Sequence, residues 1–224
     1  IPNRLFSSLA SCQGTKTISG TWIGISSYSS KQPALKFGLN GNVVSLNNGE
    51  YNAFCFECIP QKRTGTYKLE SNKILYNKEI KNYETIKKHS KDSISVIGNS
   101  NSNKVGAFGA INESNNLTYY KIREELKNEN NYIKLSGNKY IVNNPKNKDF
   151  QKILEFKNDS VLYEHTNNKR NTRKLNYKKI NFDGYSIIFI GLNSPLVIKN
   201  VTDSKITAVL FSKEQQEIEL TKIE

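Results

Sequence analysis

The chain has 224 residues with 33 basic and 20 acidic side chains, which gives a formal net charge of +13 at pH 7. This length fits one large domain or two small ones, and a hydrophobic content of 36% is enough for a modest core. Lys is spread along the whole chain, which favours a solvated surface over a nucleic-acid binder. Weak attraction to an anionic membrane surface is the remaining alternative. No apolar run reaches the roughly 18–20 residues of a membrane-spanning helix.

The N-terminal segment ends in Leu9-Ala10-Ser11-Cys12, after a short apolar stretch. An apolar residue, two small residues and a Cys form the bacterial lipobox, because the signal peptidase must approach the backbone beside the cleaved bond. We therefore expect residues 1–17 to be a signal-peptide remnant and tether, with Cys12 as the lipidation site. The alternative is an ordinary Cys in an N-terminal arm. Gln13, not Asp, follows Cys12, which by resemblance to lipoproteins of the Gram-negative envelope favours sorting to the outer membrane. The expected location is therefore the bacterial cell envelope, lipid-anchored at the periplasm-facing outer membrane.

Short apolar runs separated by turns predict strands along the rest of the chain, and twelve Tyr and ten Phe favour strands over helices. Asn40-Gly41 is a strong hairpin signal, because both residues tolerate positive φ. A tight turn is expected at 70–72 and a loop at 99–104. The predicted strands of the first half are 20–26, 34–39, 43–46, 64–69, 73–77, 93–97, 105–111 and 117–123.

The second half repeats short phrases of the first half in the same order, which predicts an internal duplication. We therefore divide the chain into a first unit at 18–124, a charge-rich and Asn-rich linker at 125–132, and a second unit at 133–224. The matched phrases are Ser19-Gly20 with Ser136-Gly137, Leu35 to Val43 with Leu154 to Val161, Lys68 to Ile74 with Lys174 to Ile180, Lys91 to Ile94 with Thr202 to Ile206, and Tyr120 to Ile122 with Thr221 to Ile223.

Gly20-Thr21-Trp22 opens the first unit and Tyr120-Lys121-Ile122-Arg123 ends it, and this pairing resembles lipocalin-like (calycin) domains. The resemblance covers 18–123 and implies an antiparallel meander barrel in which Trp22 and Arg123 close one end, the guanidinium stacked on the indole. In the second unit Lys139 stands in place of Trp and Glu224 in place of Arg. We therefore expect that unit to lack the closing pair or to be an open, flattened sheet.

The expected fold class is thus all-β, with two small lipocalin-like antiparallel barrels in tandem. Each unit is shorter than a full lipocalin, so its interior is expected to be packed or shallow. Trp22 is expected to be a core residue at the closed end, with ligand contact as the alternative.

The three cysteines include a C-x-x-C at Cys55 and Cys58. A redox motif of this kind needs a helix start after a buried strand, and Phe56 and Pro60 do not favour one. Zinc needs four ligands, and only His89 and His165 are available, each among polar residues. In an oxidising compartment a local disulfide is favoured over free thiols or a metal site, and it leaves Cys12 unpaired for the lipid. We expect no metal and no cofactor.

Two functions fit these features. The first is a lipid-anchored binding protein for a small apolar molecule or lipid, and the alternative is a module with solid barrels that binds or inhibits another envelope protein. The sequence has neither a nucleophile-elbow motif nor a phosphate loop, so we do not expect an enzyme. Membrane contact through the lipid, no nucleic acid and a monomer are also expected. The aromatic ligand candidates, each also a candidate core filler, are Phe37, Tyr67, Phe108 and Tyr119.

Overall fold

The computed structural model confirms the all-β prediction. In the described part of the chain, the strands form two closed antiparallel barrels of eight strands each, with every strand hydrogen-bonded to its neighbours in chain order. No helix among these residues is long and apolar enough to cross a membrane. The structure describes residues 18–25, 42–56, 59–99, 106–110, 117–128, 133–143, 152–166, 171–191, 195–211 and 215–224.

The first barrel closes where its first strand pairs with its last, with Trp22 opposite Lys121. Successive residues of a strand face the inside and the outside of the barrel in turn, and β4 alternates half-buried and exposed residues in this way. Its strands are β1 Gly20–Ile25, β2 Asn42–Asn47, β3 Glu50–Cys55, β4 Lys62–Glu70, β5 Lys73–Tyr76, β6 Glu79–His89, β7 Ser93–Ile97 and β8 Leu117–Lys121.

The second barrel closes in the same way, with Tyr140 opposite Lys222 on its first and last strands. The expectation of an open or flattened sheet is therefore wrong, because backbone pairing closes this barrel without a Trp–Arg pair. Its strands are β9 Lys139–Asn143, β10 Lys152–Phe156, β11 Val161–Thr166, β12 Asn171–Phe182, β13 Tyr185–Ile190, β14 Leu196–Val201, β15 Lys205–Leu210 and β16 Gln216–Ile223.

Six of the eight predicted strands of the first unit coincide with observed ones. The prediction of a strand at 105–111 is wrong over residues 106–110, which are buried but not paired in the sheet. Sequence reasoning missed β3 and β6. The strand expected at 34–39 and the Asn40-Gly41 hairpin lie outside the described residues. The turn predicted at 70–72 is present. Ser71 has a φ of 56°, in the left-handed region that tight turns often use.

The duplicated phrases correspond only in part. Those at the starts of β1 and β9, at the turns leading into β7 and β15, and on β8 and β16 occupy equivalent places in the two barrels. The match of Lys68 to Ile74 with Lys174 to Ile180 is wrong, because β12 continues unbroken where the first barrel turns from β4 to β5. The match of Val43 with Val161 is also wrong, because these residues lie on the second and third strands of their barrels.

The two barrels pack side by side through the outer faces of β1–β3 and β13–β15. Phe54 stacks on Phe189 with ring centroids 5.7 Å apart, and all six residues of β13 are buried because both faces of that strand are covered. The segment expected to be a linker takes part, since Leu126 of the 3-10 helix Glu124–Leu126 is buried in this interface. The buried interface residues are Ile23, Val43, Phe54, Ile122, Leu126, Phe182, Tyr185, Ile187, Phe189, Val197, Val209 and Phe211.

Candidate functional site

Trp22 closes one end of the first barrel. Its side chain is 1% exposed, and its indole N–H donates to the carbonyl of Ile18 at 2.9 Å. The cation over the ring is Lys121, with Nζ 5.7 Å from the ring centroid. A Cβ on Gly20 would lie 2.5 Å from Cε of Lys121, so a glycine is required for the lysine to reach across this end.

Arg123 was expected to stack its guanidinium on the Trp22 indole, and it lies elsewhere. It lies just after β8, ahead of the 3-10 helix, and its guanidinium pairs with Glu125 at 2.9 Å while 54% of its side chain is exposed. The structure therefore corrects the closing pair from Trp22 and Arg123 to Trp22 and Lys121. A lysine can supply the same attraction between a cation and a ring face, with less geometric specificity.

Tyr140 occupies the corresponding end of the second barrel, opposite Lys222 as Trp22 is opposite Lys121. Sequence reasoning aligned Lys139 with Trp22, but Lys139 points outward and its Nζ lies 3.2 Å from Glu155. The aromatic follows Gly137 by three residues, whereas Trp22 follows Gly20 by two. This one-residue offset is why the counterpart was missed.

Tyr140 borders an opening at this end of the second barrel. A cleft of about 690 Å³ opens there, which we call the end cleft. The residues that line the end cleft are Ile133, Lys134, Ser136, Gly137, Asn138, Tyr140, Val201, Thr202, Asp203 and Lys222.

Three segments build the end cleft: the chain entering β9, the turn between β14 and β15, and the end of β16. The entering chain is fixed by the buried Ile133, whose carbonyl accepts a 2.6 Å hydrogen bond from Lys179. Lys134 and Lys222 bring two positive charges and Asp203 one negative charge. Burial raises the pKa of Tyr140. The cleft is thus lined mainly by polar groups with a net positive charge, and Ile133, Tyr140 and Val201 add a smaller apolar part.

Three of the four predicted ligand-binding aromatics can be placed, and they fill the first barrel. Phe108 and Tyr119 are 0% and 1% exposed, and their rings pack edge to face with centroids 4.8 Å apart. Tyr67 is partly buried against the same core. Phe37 lies outside the described residues. A Cβ on Gly24 would lie 2.9 Å from the Tyr119 ring, which shows how tightly this interior is packed.

A buried carboxylate, Glu84, lies among these side chains and was missed by sequence reasoning. It is 1% exposed and accepts hydrogen bonds from the Tyr76 hydroxyl, the Phe108 N–H at 3.1 Å and the Ala110 N–H at 2.8 Å. Burial raises the pKa of Glu84, and the same burial together with the neighbouring Glu84 raises that of Tyr76. Both oxygens accept hydrogen bonds in a packed interior, two of them from the main chain of residues 106–110. Its position in β6, between charged and polar neighbours, offered no sequence signal for burial.

On the outside of the second barrel Glu155 holds a cluster of cations. Its carboxylate lies 2.7 Å from Lys157, 3.2 Å from Lys139 and 3.2 Å from the His165 ring. The hydrogen bond from Lys157 is the largest of the effects that lower the pKa of Glu155 to about 2. His165 also contacts the Thr172 hydroxyl at 3.0 Å. The geometry is that of an ion-pair network joining four strands.

Cys55 is disulfide-bonded, as the predicted Cys55–Cys58 bridge requires of it. The predicted partner Cys58 lies outside the described residues, as does the lipidation candidate Cys12. Within the described ranges, no group of three or more His, Cys, Asp or Glu side chains is arranged to hold a metal ion.

Comparison with protein-family models, with curated proteins and with solved structures yields no match to this chain. The assignment of a function therefore depends on the geometry of the end cleft and of the two barrel interiors.

Proposed function

We propose that this chain is a non-catalytic binding module of the bacterial envelope, anchored through a lipid on Cys12, that holds a small anionic amphiphile in its end cleft. The observation that carries the proposal is the contrast between the two barrels at equivalent ends. Trp22 is buried beneath the Lys121 ammonium at this end of the first barrel, whereas Tyr140 and Lys222 line a cleft of about 690 Å³. That volume lies within the range of about 300–1,000 Å³ that is usual for small-molecule sites.

The lining of the end cleft favours a ligand with a negative head and an apolar body. Ile133, Tyr140 and Val201 supply the apolar part of the lining, and Lys134 and Lys222 bring positive charge to it. A carboxylate or phosphate would gain charge-assisted hydrogen bonds there. The net charge of +13 would also attract anions from a distance. A fully apolar ligand inside the first barrel is less favoured, because Phe108 and Tyr119 fill that interior.

The alternative function, a module that docks another envelope protein on solid barrels, has less support. The apolar outer faces of β1–β3 and β13–β15, which could dock a partner, are already buried against each other. Among the residues that the structure describes, Ile59 is the large apolar side chain that stands fully exposed. One exposed side chain does not make a docking patch.

Titration calorimetry with decanoate tests the binding proposal. We expect 1:1 binding that weakens by about tenfold in Lys222→Gln, because a charge-assisted hydrogen bond is lost. Tyr140→Trp should weaken binding further by filling the end cleft. The matched control is Lys68→Gln, whose ammonium pairs with Glu70 on β4 of the first barrel. Absence of decanoate binding, or equal affinities in all four proteins, would contradict the proposal.

The anchor needs a separate measurement, because ligand binding does not depend on it. Mass spectrometry of the protein extracted from membranes of the producing bacterium should find a diacylglyceryl mass on Cys12. Cys12→Ser should lack this mass and leave the protein in the soluble periplasmic fraction. An unmodified Cys12 in the native protein would remove the lipoprotein part of the proposal and leave the cleft untouched.

A further inference from the structure

Residues 106–110, which connect β7 to β8, lie inside the first barrel. We call this segment the plug. All five of its residues are buried, although none belongs to a strand. Ala107, Phe108 and Ala110 share one core cluster with inward-facing residues of the barrel wall such as Ile74 and Ile94. The plug therefore occupies the space in which a barrel of this kind could hold a guest.

Polar side chains of the wall hold the main chain of the plug. Glu84 on β6 accepts from the N–H groups of Phe108 and Ala110 at 3.1 and 2.8 Å. Tyr119 on β8 donates its hydroxyl hydrogen to the carbonyl of Phe108, and Arg63 on β4 donates to the carbonyl of Ala107 at 3.2 Å. These side chains bind main-chain N–H and C=O groups, as the walls of peptide-binding sites do.

The fit of the plug to the wall depends on small residues. A Cβ on Gly106 would lie 2.3 Å from a ring carbon of Tyr76 and 2.7 Å from the carboxyl carbon of Glu84. The Phe108 ring supplies the large apolar contact, packed edge to face on Tyr119. The segment thus resembles a peptide ligand with one aromatic anchor between small residues.

The barrel wall has hydrogen-bonding atoms that the plug does not use. Oδ1 of Asn42 and Nε of Arg63 are buried and have no hydrogen-bond partner among the described residues. Asn42, which is 1% exposed, already donates to the Tyr119 hydroxyl at 3.0 Å, so its unpaired oxygen lies beside the plug contacts. Unpaired buried polar atoms are costly, and a core filled only for stability would not need these two.

We infer that the interior of the first barrel is a peptide-binding site, and that the plug occupies it as a removable ligand supplied by the chain itself. The class of ligand is an uncharged peptide main chain with one aromatic side chain flanked by Gly or Ala. A peptide of this kind would replace the contacts of Glu84, Arg63 and Tyr119 one for one. This inference concerns the first barrel and is independent of the end cleft in the second.

The test uses the full chain with Gly106→Leu, which cannot seat the plug against Tyr76 and Glu84. Titration with the synthetic peptide acetyl-Gly-Ala-Phe-Gly-Ala-amide should give 1:1 binding to this variant and none to the wild type, whose site is filled. Adding Glu84→Gln should weaken peptide binding by about tenfold or more, because it removes the charged acceptor of two N–H groups. A folded Gly106→Leu chain that does not bind the peptide would overturn the inference.

Hydrogen exchange on the wild type decides the question if Gly106→Leu does not fold. A removable plug opens locally, so the amides of Phe108 and Ala110 should exchange about tenfold or more faster than those of Ile94 and Val96 in β7. Equal protection of all four amides would mean that the plug leaves only when the whole barrel unfolds. That result would make it a permanent part of the core and would overturn the inference.

Discussion

Phe54 of the first barrel and Phe189 of the second stack across the boundary between the barrels, with centroids 5.7 Å apart and planes 25° from parallel. Phe56 also stacks on Phe189, with ring centroids 6.1 Å apart. Phe189 is therefore the centre of the interface, and it is 1% exposed. The two barrels are joined by a core of their own, in addition to the connecting chain.

Phe189→Ala should lower the free energy of unfolding by about 3–5 kcal/mol, because the buried ring leaves a cavity between two sheets that cannot close fully. Since this loss falls on the interface, we expect the single unfolding transition to separate into two. Differential scanning calorimetry measures both effects. Ile59→Ala is the control, since that side chain is fully exposed and its removal should change stability by no more than about 0.5 kcal/mol. An unchanged single transition in Phe189→Ala would show that the interface does not couple the barrels.

Asp183 joins the barrels by hydrogen bonds. It lies in the two-residue turn between β12 and β13, and its carboxylate accepts from the hydroxyls of Thr21 and Ser45 in the first barrel, the latter at 3.0 Å. Asp183→Asn keeps a residue that tolerates the observed φ of 51° but removes the charge. We expect a loss of about 1 kcal/mol, because hydrogen bonds to a charged acceptor are the stronger kind.

A double-mutant cycle with Thr21→Val isolates this contact in urea denaturation. The coupling between the two positions should be positive and about 1 kcal/mol. Asp203→Asn is the matched control, because that carboxylate lies in the equivalent kind of tight turn at the end cleft, away from the interface. Additive effects of Asp183→Asn and Thr21→Val would exclude the inter-barrel bond as a source of stability.

The sequence predicted the fold class well because strand signals are local. Apolar alternation and turn residues identify strands such as β2, β5 and β7 without knowledge of their partners. Asn48-Gly49 and Asp183-Gly184 are equally clear signals that sequence reasoning overlooked. Each forms a two-residue hairpin with both residues at positive φ.

The candidate site was less predictable because it depends on contacts between residues distant in the chain. Tyr140 becomes the counterpart of Trp22 only through its pairing with Lys222 on the last strand. Glu84 is buried because residues 106–110 lie inside the barrel and contact it. A strand was predicted at these same residues because they are mostly small and apolar. A pattern of small apolar residues does not distinguish a strand in the wall from a segment held within it.

Gly65 makes room in the wall of the first barrel. A Cβ at this position would lie 2.2 Å from Oδ1 of Asn77 and 2.7 Å from the Tyr51 ring. Asn77 cannot easily move, because this oxygen accepts a 3.0 Å hydrogen bond from the N–H of Thr66. Gly65→Ala should therefore lower the free energy of unfolding by about 1–3 kcal/mol through overpacking.

The control is Thr64→Ala, one residue earlier on the exposed face of β4. It changes a side chain of the same strand without entering the interior, so its urea midpoint should stay close to that of the wild type. Equal urea midpoints for Gly65→Ala and the wild type would show that the barrel wall accommodates a methyl group at position 65 and would contradict this prediction.

Glu155 predicts a dependence of stability on pH. The Lys157 hydrogen bond, with those from His165 and Lys139, lowers the pKa of Glu155 to about 2 from an ordinary value of 4.5. Between these two values the unfolded chain binds more protons at this position than the native chain. The contribution of Glu155 is therefore fully present above pH 4.5 and is lost as the pH falls toward 2. Because its partners Lys139 and Lys157 are about half exposed, we expect Glu155→Gln to cost at most about 1 kcal/mol at neutral pH.

Urea midpoints of the wild type and Glu155→Gln, measured from pH 7 to pH 2, check this prediction. The difference between them should shrink as the pH falls below 4.5. Glu84→Gln should show the opposite dependence of stability on pH. Burial raises the pKa of Glu84, so the native state binds the proton more tightly than the unfolded chain does. For Glu84 the charged form is the disfavoured one, so the advantage of the wild type over Glu84→Gln should grow as the pH falls through the range above 4.5. A constant difference for Glu155→Gln across the whole range would mean that its cation cluster does not persist in solution.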